Sequence, residues 1–143
     1  GSSFLIMPKK KTVKYWTNKV DKVFHRYIRL RDTNHHGYGE CITCDAPLEF
    51  ARGQAGHFIS RAHKLTRWDE TNVHLQCARC NCWGGGEQFL YSKKLDQMYY
   101  EGKADELLQK SRGVAKFTDY EYEILFNKFK ALMDEAESKK DFY

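Results

Sequence analysis

No stretch of the chain approaches the roughly 18 consecutive apolar residues that a membrane-spanning helix needs. Prolines number only two and glycines ten among 143 residues, which excludes collagen-like and low-complexity classes. Acidic side chains are scarce at the front. Residues 1–35 hold nine Lys/Arg against two acids, Asp21 and Asp32, so the net charge of +5 comes from this segment. The cysteine count is five, and an odd number does not close into a disulfide framework. What is present fits a folded chain, with 41% hydrophobic and 15% aromatic residues. A basic concentration at one end fits a polyanionic partner, and nucleic acid is the usual one.

Gly1 to Ile6 read as a cloning remnant before a native start at Met7, and a basic arm continues to residue 12. From Val13 to Arg31, apolar residues recur every three or four positions, including Trp16, Val20, Phe24, Tyr27 and Ile28. This spacing predicts a basic amphipathic helix within residues 13–35, with Lys19, Lys22, Arg26 and Arg29 mostly off its apolar stripe. His25, His35 and His36 have no partner pattern and read as solvent-facing or loop residues. Short strands are expected between Asp45 and Ser60, best at Gln54 to Ile59, and again at Asn72 to Gln76. Residues 103–143 read as a helical segment, its last helix opened by the capping box Thr118 to Glu121. Trp68 reads as core, and the Tyr/Phe stripe of 120–129 as core or as a homodimer face.

Cys41-Ile42-Thr43-Cys44 and Cys77-Ala78-Arg79-Cys80 are two C-x-x-C knuckles. Four thiolates facing one ion make a closed tetrahedral zinc site, which has no open position and is structural. Such pairs point to a reducing compartment. Cys82 is left over; it packs as a small apolar residue or replaces Cys80 as a ligand.

Between and around the knuckles run Gly56-His57-Phe58-Ile59-Ser60-Arg61 and Thr71-Asn72-Val73-His74-Leu75-Gln76-Cys77, with Asn81 directly after Cys80. This arrangement resembles the HNH, or ββα-metal, nuclease motif, with His57, Asn72 and Asn81 in its three places. The order of knuckle, A-G-H-F, Arg-rich connection, second knuckle with Asn, and glycine turn looks like the phage NinG (Rap) recombination nucleases over roughly residues 38–102.

The resemblance implies an α+β fold: a zinc-clipped β-hairpin and helix at 36–102, flanked by N- and C-terminal helices. It implies metal-dependent DNA endonuclease activity with Mg²⁺ or Mn²⁺. Branched DNA such as Holliday junctions or D-loops would be the substrate, in the cytoplasm of a phage-infected or prophage-carrying bacterium. His57 would be the general base, Asn72 would orient its imidazole, and Asn81 would offer the metal an oxygen. The family often has an Asp or His before the catalytic His; here Gly56 stands there. His74 is then the first candidate second ligand, His63 the next, and His57 itself could bind the metal. Arg61, Lys64 and Arg67, with the cations of the first helix, are candidate phosphate contacts. A non-catalytic zinc module that binds DNA, an HNH nuclease of homing, restriction or nonspecific type, and a thiol redox protein are the competing readings.

Overall fold

The computed structural model describes residues 10–142. The expectations for Gly1 to Lys9 lie outside the described residues.

The basic segment forms helix α1, Val13–Arg31, whose first turn is capped by Thr12 accepting from the Tyr15 N–H. Its apolar stripe packs on α5, Asp119–Ser138, which opens with the expected capping box of Thr118 and Glu121. Tyr122, Phe129 and Met133 are buried there against Trp16, Val20, Phe24 and Ile28. The aromatic stripe of the last helix is thus used within the chain.

Two small antiparallel hairpins lie between these helices. Strands β1, Tyr38–Glu40, and β2, Pro47–Glu49, flank the first knuckle, with Gly39 opposite Leu48. Strands β3, Gln54–His57, and β4, Val73–Gln76, form the second pair, with Gly56 opposite His74 and His57 opposite Val73. The three residues of β1 are too few to show an alternation in the sequence. The connection between β3 and β4 contains a single helical turn, α2, Lys64–Arg67.

A wide π-type turn at Arg79–Trp83 begins within the second knuckle, and Gly85 and Gly86 follow it at φ +63° and +87°. Helices α3, Gln88–Met98, and α4, Lys103–Ser111, then bury Tyr91, Leu95 and Leu107 against Ile42, Phe58 and Ile59. α1 is tied to β4 at its C-terminus. Arg31 donates to Val73 O at 2.8 Å, and Asp32 accepts from the Leu75 N–H at 2.9 Å. Among the described residues, no helix is long and apolar enough to cross a membrane.

Candidate nuclease centre and cysteine cluster

The two hairpins bring Cys41, Cys44, Cys77 and Cys80 together. Their sulfurs all lie within 4.8 Å of one another, and Cys44 and Cys77 are 3.9 Å apart. Zinc–thiolate bonds of 2.3 Å give a tetrahedral S···S edge of about 3.8 Å, so the cluster fits that ion. The backbone N–H groups of Cys77 and Cys80 point at Cys41 and Cys77 sulfurs, at 3.4 and 3.5 Å. Burial raises the Cys41 thiol, but N–H donors of Cys44 and Cys77 and the Thr43 hydroxyl outweigh it and bring it to about 6. Burial, with the neighbouring thiols, pushes Cys80 up to about 12. Four thiolates cannot share this space without a cation. The four cysteines could therefore hold a metal such as zinc. Cys82 stands outside the cluster, exposed rather than packed, with its thiol donating to Gln54 Oε1 at 3.4 Å.

His57 ends β3 and is partly buried. Its Nε2 lies 2.9 Å from Arg67 O. A carbonyl only accepts, so Nε2 carries the ring proton and Nδ1 is left as the basic nitrogen. Burial lowers the His57 pKa to about 4. The bond to Arg67 O opposes that shift, His25 and Arg61 add to it, and Asp21 opposes it.

Asn72 does not touch the imidazole. It is fully buried, its Oδ1 accepting from the Ile59 N–H at 2.8 Å and its Nδ2 donating to Ile59 O and Thr66 O, both at 3.0 Å. These three bonds fold the connection back on itself and fix the peptide run that ends in Arg67 O. Asn72 reaches His57 through that backbone.

Asn81 projects from the π-type turn, with its Nδ2 donating to Gln54 Oε1 at 2.7 Å. Both His57 and Asn81 line one cleft of about 700 Å³, together with His25, Arg29, Ser60, Arg61 and Gln88. Among the described residues, no Asp or Glu lines it. A divalent ion there would find the Asn81 amide oxygen and imidazole nitrogens as protein ligands.

The structure does not bring His74 to this cleft. Directly paired residues share a face of the sheet and neighbours alternate, so His74 and His57 point to opposite faces. His74 is a satisfied core residue. Its ring nitrogens contact Tyr91 Oη at 3.3 Å and Tyr99 Oη at 2.8 Å, and Tyr91 in turn donates to Gly56 O at 2.6 Å. Burial, followed by the Arg31 charge, lowers its pKa to about 4. Gly56 has a local reason of its own: a Cβ there would collide with the buried Gln76 side chain. That carboxamide donates to Thr43 Oγ1 at 3.1 Å and Gly86 O at 3.0 Å, joining the first knuckle to the glycine turn. His63 sits exposed before α2.

The candidate phosphate contacts divide. Lys22 and Arg61 are exposed, and Arg29 lines the cleft while its Nη2 donates to Phe50 O at 2.6 Å. Arg67 is held by Asp21 through Nη2 at 2.6 Å and Nε at 3.2 Å. Lys64 donates to Tyr122 Oη at 2.9 Å, Lys19 lies over the Phe126 ring at 4.4 Å, and Arg26 pairs with Glu137 at 2.5 Å. Those partners come from α5 and α1 and were not legible from the basic residues alone.

His25 is the residue that the sequence reading set aside. Its ring is 5.5 Å from that of His57, centre to centre, and it lines the same cleft. Its only sequence signal is a position on the basic helix one turn after Asp21.

A model of the family described as Bacteriophage Lambda NinG protein matches residues 7–139. The Protein ninG of Escherichia phage 933W is 31% identical over 94 residues, which is 65% of this chain and 44% of the relative. The Protein ninG of Salmonella phage P22 is 31% identical and that of Escherichia phage lambda 30% identical, with the same coverage. The chain thus matches less than half the length of these curated relatives. No solved structure matches. A family match across nearly the whole described chain, including both knuckles and the His57–Asn81 cleft, means that the chain belongs to the NinG family.

Proposed function

We propose that this chain carries a metal-dependent DNA endonuclease centre of HNH type. Branched recombination intermediates such as Holliday junctions and D-loops are its substrate class. The observation that carries this reading is one cleft lined by His57, fixed in one tautomer by a backbone carbonyl, and by Asn81 from the second knuckle. The substrate class rests on the resemblance to the NinG recombination nucleases.

Phosphodiester hydrolysis needs an activated water, charge on the scissile phosphate, and help for the leaving oxygen. His57 takes the water's proton at Nδ1 and holds it on a ring whose other nitrogen is anchored to Arg67 O. The water oxygen forms the new P–O bond, the ester P–O bond breaks, and the leaving oxygen is protonated from solvent. Asn81 Oδ1 is the oxygen ligand offered to Mg²⁺ or Mn²⁺. When bound, that ion neutralises phosphate charge and stabilises the leaving oxygen. Arg61 and Arg29 at the cleft and Lys22 on α1 attract the sugar-phosphate backbone. Asn72 is a positioning residue, acting through Ile59, Thr66 and the loop between them.

The test compares cleavage of a labelled four-way junction and a matched linear duplex with Mg²⁺ or Mn²⁺, by the parent and by His57→Ala. Junction cuts lost in His57→Ala support the proposal. Equal cutting of both substrates, still dependent on His57, keeps the chemistry and removes the branch selectivity. The absence of carboxylates among the described residues of the cleft favours one rival, a zinc module that binds DNA without cutting it. Junction binding without cleavage by a zinc-loaded, folded protein would establish that rival.

A further inference from the structure

We propose that His25, on α1 and outside the knuckle-and-hairpin motif, is the nitrogen ligand of the catalytic divalent ion, sharing that ion with Asn81 while His57 acts as base. The inference rests on the nuclease reading of the cleft.

A divalent ion that acts on a phosphodiester must be held by the protein, and carboxylates usually do this. The cleft has none among its described lining residues, so the donors left are imidazoles and amides. Two imidazoles border it, and their Nε2 atoms have different surroundings. His57 Nε2 donates to a neutral peptide carbonyl at 2.9 Å. His25 Nε2 is buried without a hydrogen-bond partner and faces the Asp21 carboxylate at 3.9 Å. At 3.9 Å the carboxylate makes no hydrogen bond to the ring, and its negative charge offsets part of the cost of holding a cation on His25. Asp21 is itself fixed from three directions, by Arg67 Nε and Nη2 and by Trp68 Nε1 at 2.8 Å.

Nε2 is buried against Asp21, so Nδ1 is the His25 nitrogen offered to a ligand, and the lowered pKa favours the neutral ring that a metal ion needs. Burial lowers the His25 pKa, and Arg61, Arg67 and Arg29 add to the shift against the opposing charge of Asp21. The rings of His25 and His57 are 5.5 Å apart, near enough for an ion on one to present its water to the other. A site of imidazole nitrogen and amide oxygen favours Mn²⁺, Co²⁺ or Ni²⁺ over Mg²⁺, which wants carboxylate and phosphate oxygens.

The test is Mn²⁺ binding to the zinc-loaded protein, read by electron paramagnetic resonance, with the nitrogen hyperfine signal of the bound ion recorded as well. All proteins carry His36→Ala, which removes the exposed His35, His36 and Asp141 group as a competing site. His25→Ala is expected to weaken Mn²⁺ at least tenfold and erase the imidazole signal. His57→Ala is expected to keep both while losing cleavage. Unchanged Mn²⁺ affinity and nitrogen signal in His25→Ala, with its circular dichroism and zinc content intact, overturn the proposal. So does loss of the signal in His57→Ala alone. His25→Gln checks folding, since it fills the same space without an imidazole. Neither metal readout depends on cleavage. A protein that binds Mn²⁺ through His25 and cuts nothing sinks the nuclease reading and leaves the site standing.

Discussion

The chemistry of His57 follows from the carbonyl behind its ring and from its burial. Arg67 O fixes the tautomer, and burial holds the pKa at about 4 rather than near 6.5. In the folded protein the proposed base is therefore unprotonated through the whole neutral range. The expected pH–rate profile for cleavage has no inflection near 6.5; it stays level from roughly pH 5.5 to 8, and its acid limb lies near the shifted value. The sign follows from linkage. A histidine whose folded pKa is depressed is fully stabilising above its unfolded pKa, and that contribution is lost as pH falls from about 6.5 toward 4. Single-turnover rates across this range test the point, with the zinc content checked at each pH. A half-maximal rate at 6.5 that disappears in His57→Ala would show an exposed, ordinary imidazole and refute the burial argument. A second change at this scale separates touching from positioning. Asn72→Ala removes three buried hydrogen bonds and should cost on the order of 2–4 kcal/mol, while lowering kcat more than it changes KM. Urea unfolding and steady-state kinetics measure both. An Asn72→Ala protein as stable as the parent would sink the loop-pinning role.

At the level of elements, the β3–β4 hairpin explains what the motif could not. The residue before His57, the proposed base, is Gly56 because Gln76, two residues beyond its partner His74, fills that space. Restoring an acid there is expected to fail: Gly56→Asp should destabilise by about 1–3 kcal/mol through overpacking. Adding Gln76→Ala should relieve part of that loss. Equal stability of Gly56→Asp and the parent in urea denaturation would contradict the steric account. The long periodic helices were legible from the sequence, and α1 runs over the expected Val13–Arg31, because nineteen residues give the 3.6 period room to show. The two knuckles were legible because their spacing is itself the chemistry. β1 and β2, three residues each, are held by pairing and cysteine geometry rather than by pattern. His74 was expected beside Asn72 by strand alternation, yet β4 begins at Val73 and the sheet turns His74 into the tyrosine-lined core. His25 was missed for the opposite reason. Its partner is supplied by tertiary contact with a residue more than thirty positions away, and no local spacing encodes it.

Across the whole molecule, the cysteine cluster is the joint that lets three small layers share one cleft. The core of α1 and α5 includes Trp68 and Val73 from the hairpin, while Ile42 of the first knuckle belongs to the core of α3 and α4. The Ile42 N–H also donates to Leu75 O at 2.9 Å, and α1 reaches the same strand through Asp32. Loosening the knuckles therefore loosens β4, and with β4 the link to both helical layers. Structural zinc contributes on the order of 10–16 kcal/mol in small finger peptides, comparable to the whole 5–15 kcal/mol net stability of an ordinary domain. Chelation is thus expected to remove one zinc per chain, lower the melting temperature by more than about 15 °C, and abolish cleavage. Much of the far-ultraviolet helix signal should survive, because α1 and α5 pack on each other directly. Zinc should restore fold and activity together, whereas Mg²⁺ should restore neither. Cysteine substitutions locate the effect. Cys80→Ser should reproduce the chelated state, and Cys82→Ser should keep its zinc, since Cys82 lies exposed outside the cluster. A chelated protein that melts at the parent's temperature would mean that the hairpins stand on their own packing, and the cluster would then be a reactive thiol group rather than the joint of the fold.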